Sequence, residues 1–526
     1  MKLQLNYKTP YLYLTGLILL VSGLPVSLFL TSLAQFFLAG SFLFEGNVKD
    51  KFKRFFSNRT AMFIAGIWIL HLIGLMWTSE LSDGLKDLRI KLPLLILPLI
   101  IAGNQPLTAK QFKLVLSVFV FAVLAGTFSA MAVLTGLIHR EIHDIRDIFI
   151  YHISHIRFAL FTCIAIVSMV YYLFYTTEVK GIQKVILPLI ISWLVLFLIV
   201  VESLTGIITL TIILFAALTY QIFKSKNKLF RFGFFVFAIG IPLAMVLYLS
   251  SLVKKYYVKK EYQISVGDTT ALGNHYEFHP ENTERENGYP VNMYVCESEL
   301  RSAWNERSAI DYDSLDNKGQ RIYSTIIRFL TSKGLKKDDE GVKALNEFEI
   351  KSIENGIANF DFQETSNLQN RIRQVIWEFD QLVHGENPSG HSVSQRFEFW
   401  KAAVGIIAAH PFIGVGTGDL PLAFKEQYVS MNTQLDQDHR LRAHNQYLAI
   451  TVAFGIIGLI YFLFALLYPV LSKQNYSMLF VFFLIIAMVS MLTEDTLETQ
   501  PGATFVAFFY LFFFTHVQNK TIIKSE

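Results

Sequence analysis

Residues 114–137 read LVLSVFVFAVLAGTFSAMAVLTGL and contain no charged side chain. A helix of this length crosses the roughly 30 Å hydrocarbon core of a bilayer. Similar runs recur along the 526-residue chain, in which 53% of residues are hydrophobic, 17% are charged and 47 are Phe. The sequence therefore predicts an all-α polytopic membrane protein and excludes a soluble nucleotide-binding enzyme or a disordered chain. The two cysteines, Cys163 and Cys296, fall in a span and in an aqueous loop, which predicts no internal disulfide and no thiolate metal site.

About twelve transmembrane helices are predicted. They lie at about 11–24, 26–45, 61–77, 92–103, 114–137, 157–175, 185–203, 206–223, 232–252, 444–470, 476–493 and 503–517. The short segment 92–103 is expected to use Lys86–Lys91 to reach the surface. Basic residues concentrate in alternate connections, such as Lys49–Arg59 and Lys224–Arg231. The positive-inside rule then places both termini in the cytoplasm.

This topology divides the chain into four parts. Residues 1–253 form an N-terminal membrane domain of about nine spans, and 254–395 form a large, mostly helical extracytoplasmic loop domain. Residues 396–443 are a periplasmic re-entrant segment, and 444–526 are a C-terminal membrane domain of three spans. The loop domain carries a soluble-helix pattern at 372–383 and is net acidic, and the basic residues elsewhere mostly flank spans, so nothing predicts nucleic-acid binding.

A glycine-rich stretch, Gly414-Val415-Gly416-Thr417-Gly418-Asp419, follows Pro411. Glycines allow positive φ, and such a turn can direct several backbone N–H groups at an anion. The stretch lacks the Lys-Ser/Thr of a phosphate loop, so a simple helix-to-loop turn is the more ordinary interpretation.

The densest polar cluster of the chain comes just before the span at 444–470. It contains Asp436, Asp438, His439, Arg440, Arg442, His444 and Asn445. On a helix, Arg440 and His444 would share one face. The cluster is either a polar cap at the membrane interface or part of a site. A metal site is not predicted, because the two histidines are five residues apart and no third ligand is evident.

Two other extracytoplasmic connections have similar chemistry. Residues 139–157 are rich in His and Arg and end at Arg157, and residues 493–498 contain Glu494. Each alone is compatible with a solvated loop. Together with the cluster at 436–445, they predict a site for a phosphate-bearing lipid at the outer interface.

The ordered motifs resemble the signature of the O-antigen ligase and O-antigen polymerase superfamily. The motifs are Arg396-x-x-x-Trp400, HPFIGVGTG at 410–418, HNQYL at 444–448 and GIIG at 455–458. The twelve predicted spans with one large external loop are also typical of that superfamily, whose members have a GT-C-like architecture. The insert at 287–390 resembles that of Bacteroidetes-type members.

The resemblance implies an inverting glycosyltransferase that uses neither a nucleotide sugar, a metal nor another cofactor. Its donor would be a glycan on undecaprenyl diphosphate, at the periplasmic face of the bacterial inner membrane. Its acceptor would be lipid A-core, another glycan or a protein, and membrane lipids would surround it. The resemblance makes His444 the general base, which suits an imidazole because it is mostly neutral at neutral pH.

The resemblance also assigns the remaining site residues. Pyrophosphate binding falls to arginines, whose fork suits phosphate oxygens: Arg396, Arg157, Arg440 and Arg442. Supporting roles fall to Asn445, Glu494 and Gly416, and Glu494 is also a second candidate for the base. Many relatives have an arginine where this chain has Leu204, and Arg440 or Arg442 would substitute for it.

Five functions remain open from the sequence. An O-antigen ligase comes first, and a polysaccharide polymerase or a protein O-oligosaccharyltransferase is the alternative within the class. A polysaccharide transporter or flippase is the alternative of another class, although transporters tend to carry ionisable residues near mid-membrane. A non-catalytic scaffold would predict that His444 is dispensable.

Overall fold

The computed structural model describes residues 11–140, 148–149, 154–175, 179–256, 269–278, 285–362, 367–383 and 387–524. Much of the predicted loop at 139–157 therefore lies outside the described residues. The chain divides into two compact units. The larger comprises Met1–Arg140, Ile145–Tyr220 and Gln381–Glu526, and the smaller comprises Glu141–Asp144 and Gln221–Asp380.

The described residues are mostly helical. The helices are α1 (Tyr11–Gly23), α2 (Leu28–Phe44), α3 (Val48–Ser57), α4 (Arg59–Gly74), α5 (Leu81–Lys91), α6 (Pro93–Gly103), α7 (Ala109–Leu134), α8 (His155–Tyr175), α9 (Gln183–Val200), α10 (Leu204–Lys224), α11 (Lys228–Tyr256), α12 (Glu297–Arg307), α13 (Ile322–Ser332), α14 (Asp339–Lys343), α15 (Glu347–Glu354), α16 (Asn367–Val383), α17 (Ser392–Ala409), α18 (Leu420–Ser430), α19 (Gln446–Leu471), α20 (Met478–Thr493) and α21 (Gln500–Lys524). The strands are β1 (Glu277–Phe278), β2 (Arg285–Glu286), β3 (Tyr289–Pro290) and β4 (Met293–Val295).

The predicted all-α polytopic fold is confirmed. Each of the twelve predicted segments coincides with a helix, and seven described helices are long and apolar enough to cross a membrane. They are Arg59–Trp77, Ala109–Leu134, His155–Phe174, Gln183–Val200, Leu204–Phe223, Arg231–Lys254 and Gln446–Leu471. The pair α2 and α3, bent by 112°, gives an eighth candidate, and α1, α20 and Gln500–Thr515 are shorter apolar helices. The count of twelve spans stays a prediction.

Helix α21 lies in the centre of the larger unit. Its residues from Ala503 to Phe514 are at most 3% exposed. The Phe512 ring stacks on Phe112 with centroids 4.5 Å apart, and the Phe509 ring meets Phe119 edge-on at 4.9 Å. Because lipid tails are as apolar as these side chains, such close packing holds the helices together. It also fixes the position of the loop that immediately precedes α21.

The smaller unit includes α11 to α16 and two short antiparallel strand pairs, β1–β4 and β2–β3. The helix predicted at 372–383 is confirmed within α16. The core of this unit is built on the fully buried side chains of Trp304, Phe329 and Leu330.

Helix α19 is interrupted at Gly455, which has φ 63° and ψ −166°. The glycine-rich stretch repairs the break: the Val415 and Gly416 N–H groups donate to the Val452 and Ala453 carbonyl oxygens at 3.0 and 2.9 Å. In return, the Pro411 carbonyl accepts from the Ile456 N–H at 2.9 Å. The backbone groups that the break frees are therefore satisfied within the protein, as a membrane environment requires.

Candidate functional site

The segment before α19 has a different conformation from the one expected. Residues 440–445 are not helical, and α19 begins at Gln446, so the expectation that Arg440 and His444 share a helix face is wrong. Asn445 caps α19, since its side chain accepts from the Leu448 N–H at 3.1 Å. The Asn445 amide also donates to the Leu492 carbonyl at 3.1 Å, which ties the start of α19 to the end of α20.

His444 occupies a strained backbone position with φ 46°. Such a conformation costs a non-glycine residue roughly 1–2 kcal/mol and is found disproportionately at functional sites. The imidazole Nδ1 lies 3.9 Å from Glu494 Oε2 and 3.7 Å from Asp495 Oδ1, and it has no hydrogen-bond partner among the described residues. The ring packs against Phe399 with centroids 5.6 Å apart. The histidine is thus held beside two carboxylates.

The Arg-x-x-x-Trp motif has a structural explanation. Arg396 and Trp400 lie four residues apart on α17 and so share a face. The Trp400 indole donates to the Ala443 carbonyl at 3.0 Å, which fixes the residue before His444. The Arg396 guanidinium lies 3.6 Å from Glu494 Oε1 and donates to the Ser392 carbonyl at 3.2 Å. The motif therefore brings an arginine and the histidine to the same glutamate.

Arg442 reaches the same group of carboxylates from the other side. Its Nε lies 3.5 Å from Asp495 Oδ2, and one terminal nitrogen donates to Glu498 Oε2 at 3.0 Å. We call residues 494–499 the acidic loop. Arg157, at the start of α8, donates to Thr499 Oγ1 in this loop at 2.7 Å. Three of the four predicted arginines thus contact the acidic loop.

Two other predicted residues lie elsewhere. The Arg440 Nε donates to the Leu435 carbonyl at 3.0 Å, and no described contact joins Arg440 to the acidic loop. Gly416 has φ 99°, and its N–H donates to the Ala453 carbonyl oxygen. The Gly418 N–H donates to Thr78 Oγ1 at 3.1 Å. The N–H groups of Gly416 and Gly418 are therefore already bonded within the turn that packs against α19, and a supporting role of Gly416 stays a prediction.

The site has a buried partner, Lys91, that the sequence does not reveal. It was expected to reach the surface, but its side chain is 1% exposed and its ammonium pairs with Asp87 and, at 2.7 Å, with Glu498 Oε2. The Glu498 carboxylate also accepts from Gln446 Nε2 at 3.2 Å, and Gln446 Oε1 accepts from the Leu497 N–H at 2.6 Å. Lys91 resembles a basic flank of a span in the sequence, so no local pattern distinguishes it.

Burial and charge act differently on two carboxyl groups of the acidic loop. Burial raises the pKa of Asp495, against the opposing effect of Arg442. Burial would also raise the pKa of Glu498, but Lys91 and then Arg442 outweigh it and lower that pKa to about 2. Glu498 is therefore a permanent anion at neutral pH.

The structure brings together a possible metal-binding set that the sequence did not reveal. The His444 Nδ1 and one carboxylate oxygen each from Glu494 and Asp495 all lie within 4.8 Å of one another. These donors are of the types that zinc accepts. However, Arg396 and Arg442 already face the same two carboxylates, and a dication would be repelled by both guanidinium groups. The donor set fits guanidinium pairing better than a metal ion.

The described cavity of about 700 Å³ lies away from this cluster, at the other end of α17. It is lined by residues that include Trp77, His410, Phe412 and Glu426, and by none of the site residues above. The candidate site is thus defined by the side-chain cluster on the acidic loop.

The structure is that of an all-α polytopic membrane protein in which Arg157, Arg396, Arg442 and His444 gather around the acidic loop. Residues 356–463 match the family described as O-Antigen ligase, and this match supports the resemblance of the chain to the O-antigen ligase and polymerase superfamily. The matched segment contains the candidate residues Arg396, Gly416, Arg440, Arg442, His444 and Asn445. No curated protein matches the chain. The matched family supports a ligase-like or polymerase-like membrane glycosyltransferase.

Proposed function

We propose that the protein transfers a glycan from undecaprenyl diphosphate to a hydroxyl of lipid A-core, at the periplasmic face of the bacterial inner membrane. The observation that carries this proposal is the convergence of His444, Arg396, Arg442 and Arg157 on the acidic loop. A base and several phosphate-binding groups beside one another are what glycan transfer from a lipid diphosphate requires.

The arginines would stabilise the leaving group. As the bond between the sugar C1 and the phosphate oxygen breaks, negative charge develops on the diphosphate. Each charge-assisted hydrogen bond from a guanidinium contributes about 1.5–3 kcal/mol. Arg396 and Arg442 are 29% and 37% exposed, so both are accessible to a ligand. Arg440, whose Nε already donates to the Leu435 carbonyl, is proposed as a weaker diphosphate ligand.

His444 would act as the general base. Because its Nδ1 faces Glu494 and Asp495, a proton on Nδ1 would be stabilised there and the Nε2 lone pair would be left for the acceptor hydroxyl. Nε2 takes the hydroxyl proton while the acceptor oxygen attacks C1 from the face opposite the diphosphate, which inverts the configuration. General-base help of this type contributes roughly 10²–10⁴ in rate. No metal or other cofactor takes part in this mechanism.

The histidine assignment is tested by replacing His444 with Asn. Asparagine tolerates a left-handed backbone but cannot accept the proton, so we expect a folded protein whose transfer rate falls at least 100-fold. The matched control is His439→Asn, since His439 lies on the neighbouring turn and is 41% exposed. Transfer by His444→Asn at the wild-type rate would rule out this base, and Glu494 would then be tested.

The acceptor is tested in a deletion strain complemented with wild type or His444→Asn. Loss of long-chain lipopolysaccharide, with full-length glycan kept on its lipid carrier, supports the ligase. A single repeat on the core would indicate a polymerase, and intact lipopolysaccharide with under-glycosylated protein would indicate protein-directed transfer. Glycan retained on the cytoplasmic side would instead indicate a flippase.

A further inference from the structure

Lys91 is an unusual residue for a membrane protein, because its charged side chain is almost completely buried. It ends α5, and its ammonium contacts Asp87 one turn earlier and Glu498 on the acidic loop. An unpaired ammonium in such surroundings would cost several kcal/mol. The two carboxylates offset that cost, and Glu498 connects Lys91 to the candidate site.

The Glu498 carboxylate is shared between two cations. Lys91 Nζ and an Arg442 terminal nitrogen both donate to the same oxygen, Oε2, at 2.7 and 3.0 Å. The other oxygen, Oε1, accepts from Gln446 Nε2. Because Gln446 also accepts from the Leu497 N–H, the carboxylate is fixed to α19 and to its own loop. Glu498 therefore cannot follow Arg442 if that side chain moves.

This sharing determines how much positive charge Arg442 has available. Arg442 contacts two carboxylates, Asp495 and Glu498, whose combined negative charge exceeds the single positive charge of the guanidinium. Lys91 balances part of the charge of Glu498, so less of that charge is left to hold the Arg442 guanidinium, which can then attract an additional anion. Without Lys91, Glu498 would hold Arg442 tightly and compete with a diphosphate for it.

We infer that Lys91 is a positioning residue for the transfer reaction: its ion pair with Glu498 weakens the hold of that carboxylate on Arg442 and so leaves the Arg442 charge free for the donor diphosphate. This inference rests on the proposed function. It deepens that function by adding a residue from α5 that contacts neither donor nor acceptor.

The test is the substitution Lys91→Met, which preserves the length of the side chain and removes its charge. We expect the KM for the lipid-linked donor to rise at least tenfold and the KM for the acceptor to stay within twofold. The dissociation constant of inorganic diphosphate, measured by calorimetry on the full-length protein in detergent, should rise in parallel. A purely structural role would change the folded fraction and leave both donor constants unchanged.

Asp87→Asn is the matched control. It removes the other partner of Lys91 and leaves Glu498 and Arg442 untouched, so we expect a donor KM within about twofold of wild type. A Lys91→Met protein with wild-type donor KM and diphosphate affinity would overturn the inference.

A double variant covers the case in which Lys91→Met does not fold. Lys91→Met with Glu498→Gln removes both buried charges and keeps a group that can bond to Gln446. We expect it to fold and to have a donor KM within about threefold of wild type, because no carboxylate at position 498 then competes with the diphosphate for Arg442; a donor KM raised tenfold would contradict the inference. If the wild-type protein binds diphosphate but transfers no glycan, the proposed function fails by itself.

Discussion

Arg440 and Arg442 are two residues apart and have the same chemistry, yet they lie in different surroundings. The Arg440 Nε donates a hydrogen bond to the Leu435 carbonyl, beside the turn at Gln437–His439. Arg442 is held by two carboxylates of the acidic loop. At this scale, a residue's role follows from the partner that the fold supplies.

Alanine substitution of the two arginines should therefore give unequal results. We expect Arg442→Ala to reduce kcat/KM for the donor by 10- to 100-fold, since a charge-assisted bond worth about 1.5–3 kcal/mol is lost. We expect Arg440→Ala to reduce it by less than threefold. The measurement is the initial rate of transfer at limiting donor concentration. Equal losses would show that Arg440 contributes as much to diphosphate binding as Arg442.

Sequence patterns could identify these arginines but could not separate them. Residues 440–445 are polar and precede an apolar helix, which predicts an interfacial cluster and no more. The carboxylates that select Arg442 come from a loop over 50 residues further along the chain. Lys91 was missed for the same reason, because its partner is 407 residues away.

Glu498 should give the fold a measurable dependence on pH. Its pKa is about 2 in the folded protein against an ordinary value of 4.5. A carboxyl with a lowered folded-state pKa stabilises the fold above its unfolded-state pKa, and this contribution is lost as the pH falls towards 2. We therefore expect the unfolding temperature of wild type in detergent to fall more between pH 5 and pH 3 than that of Glu498→Gln.

Asp495→Asn is the opposite control for this measurement. Burial raises the pKa of Asp495, so its contribution to stability is present at low pH and is lost as the pH rises. We expect Asp495→Asn to increase the loss of stability on acidification. Identical pH profiles for all three proteins would contradict both assignments.

At the scale of elements, the interruption of α19 is the feature that organises this end of the larger unit. The glycine-rich stretch meets α19 at the break, and Asp419 at its end accepts from the Ser79 and Glu80 N–H groups at the start of α5. The Thr417 hydroxyl donates to the His71 carbonyl of α4 at 2.6 Å. One turn thereby connects α4, α5 and α19.

Gly455→Ala should disrupt this connection. An added Cβ would lie 2.1 Å from the Phe412 carbonyl carbon, and the backbone conformation is one that only glycine adopts readily. We expect a loss of folded protein and an unfolding temperature lowered by at least 5 °C, measured in detergent. The control is Gly240→Ala on α11, where a Cβ meets nothing within 4 Å and φ is helical, and we expect it to be neutral or slightly stabilising.

The helices themselves were largely predictable, but the interruption was not. Apolar runs located each of the twelve helical segments within a few residues, because length and hydropathy alone define them. In α19, the run from Gln446 to Leu471 is continuously apolar around Gly455, and an isolated glycine is tolerated in a helix. The helix opens there because the backbone of residues 411–416 supplies hydrogen-bond partners for its freed groups, and those residues lie far earlier in the sequence.

At the scale of the whole molecule, the orientation in the membrane stays a prediction from the basic flanks. With both termini in the cytoplasm, a reporter fused at residue 526 should be active only in the cytoplasm. One inserted near residue 319 in the loop domain should be active only in the periplasm. Phosphatase and fluorescent-protein fusions measure this directly, and the opposite pattern would place the candidate site on the wrong side for the proposed donor.

Metal dependence is a second property of the intact protein that can be measured. Because Arg396 and Arg442 occupy the two carboxylates near His444, we expect transfer to be unaffected by 10 mM chelator, taken as about a thousandfold excess over trace metal. Added zinc should inhibit, since it would displace the guanidinium groups and block Nδ1. Loss of activity on chelation, restored by one metal, would overturn the arginine-paired arrangement.

The distance along the chain between Lys91 and Glu498 has a consequence for biosynthesis. The two residues are 407 positions apart, which a ribosome translates in about 20–80 s at 5–20 residues per second. During this interval the nascent chain holds a lysine without its principal partner. A chain that stops before the acidic loop would keep this defect permanently, and would present to membrane proteases a charge that the finished protein conceals. The ion pair between Lys91 and Glu498, which leaves the charge of Arg442 free, therefore forms only after synthesis has passed the acidic loop.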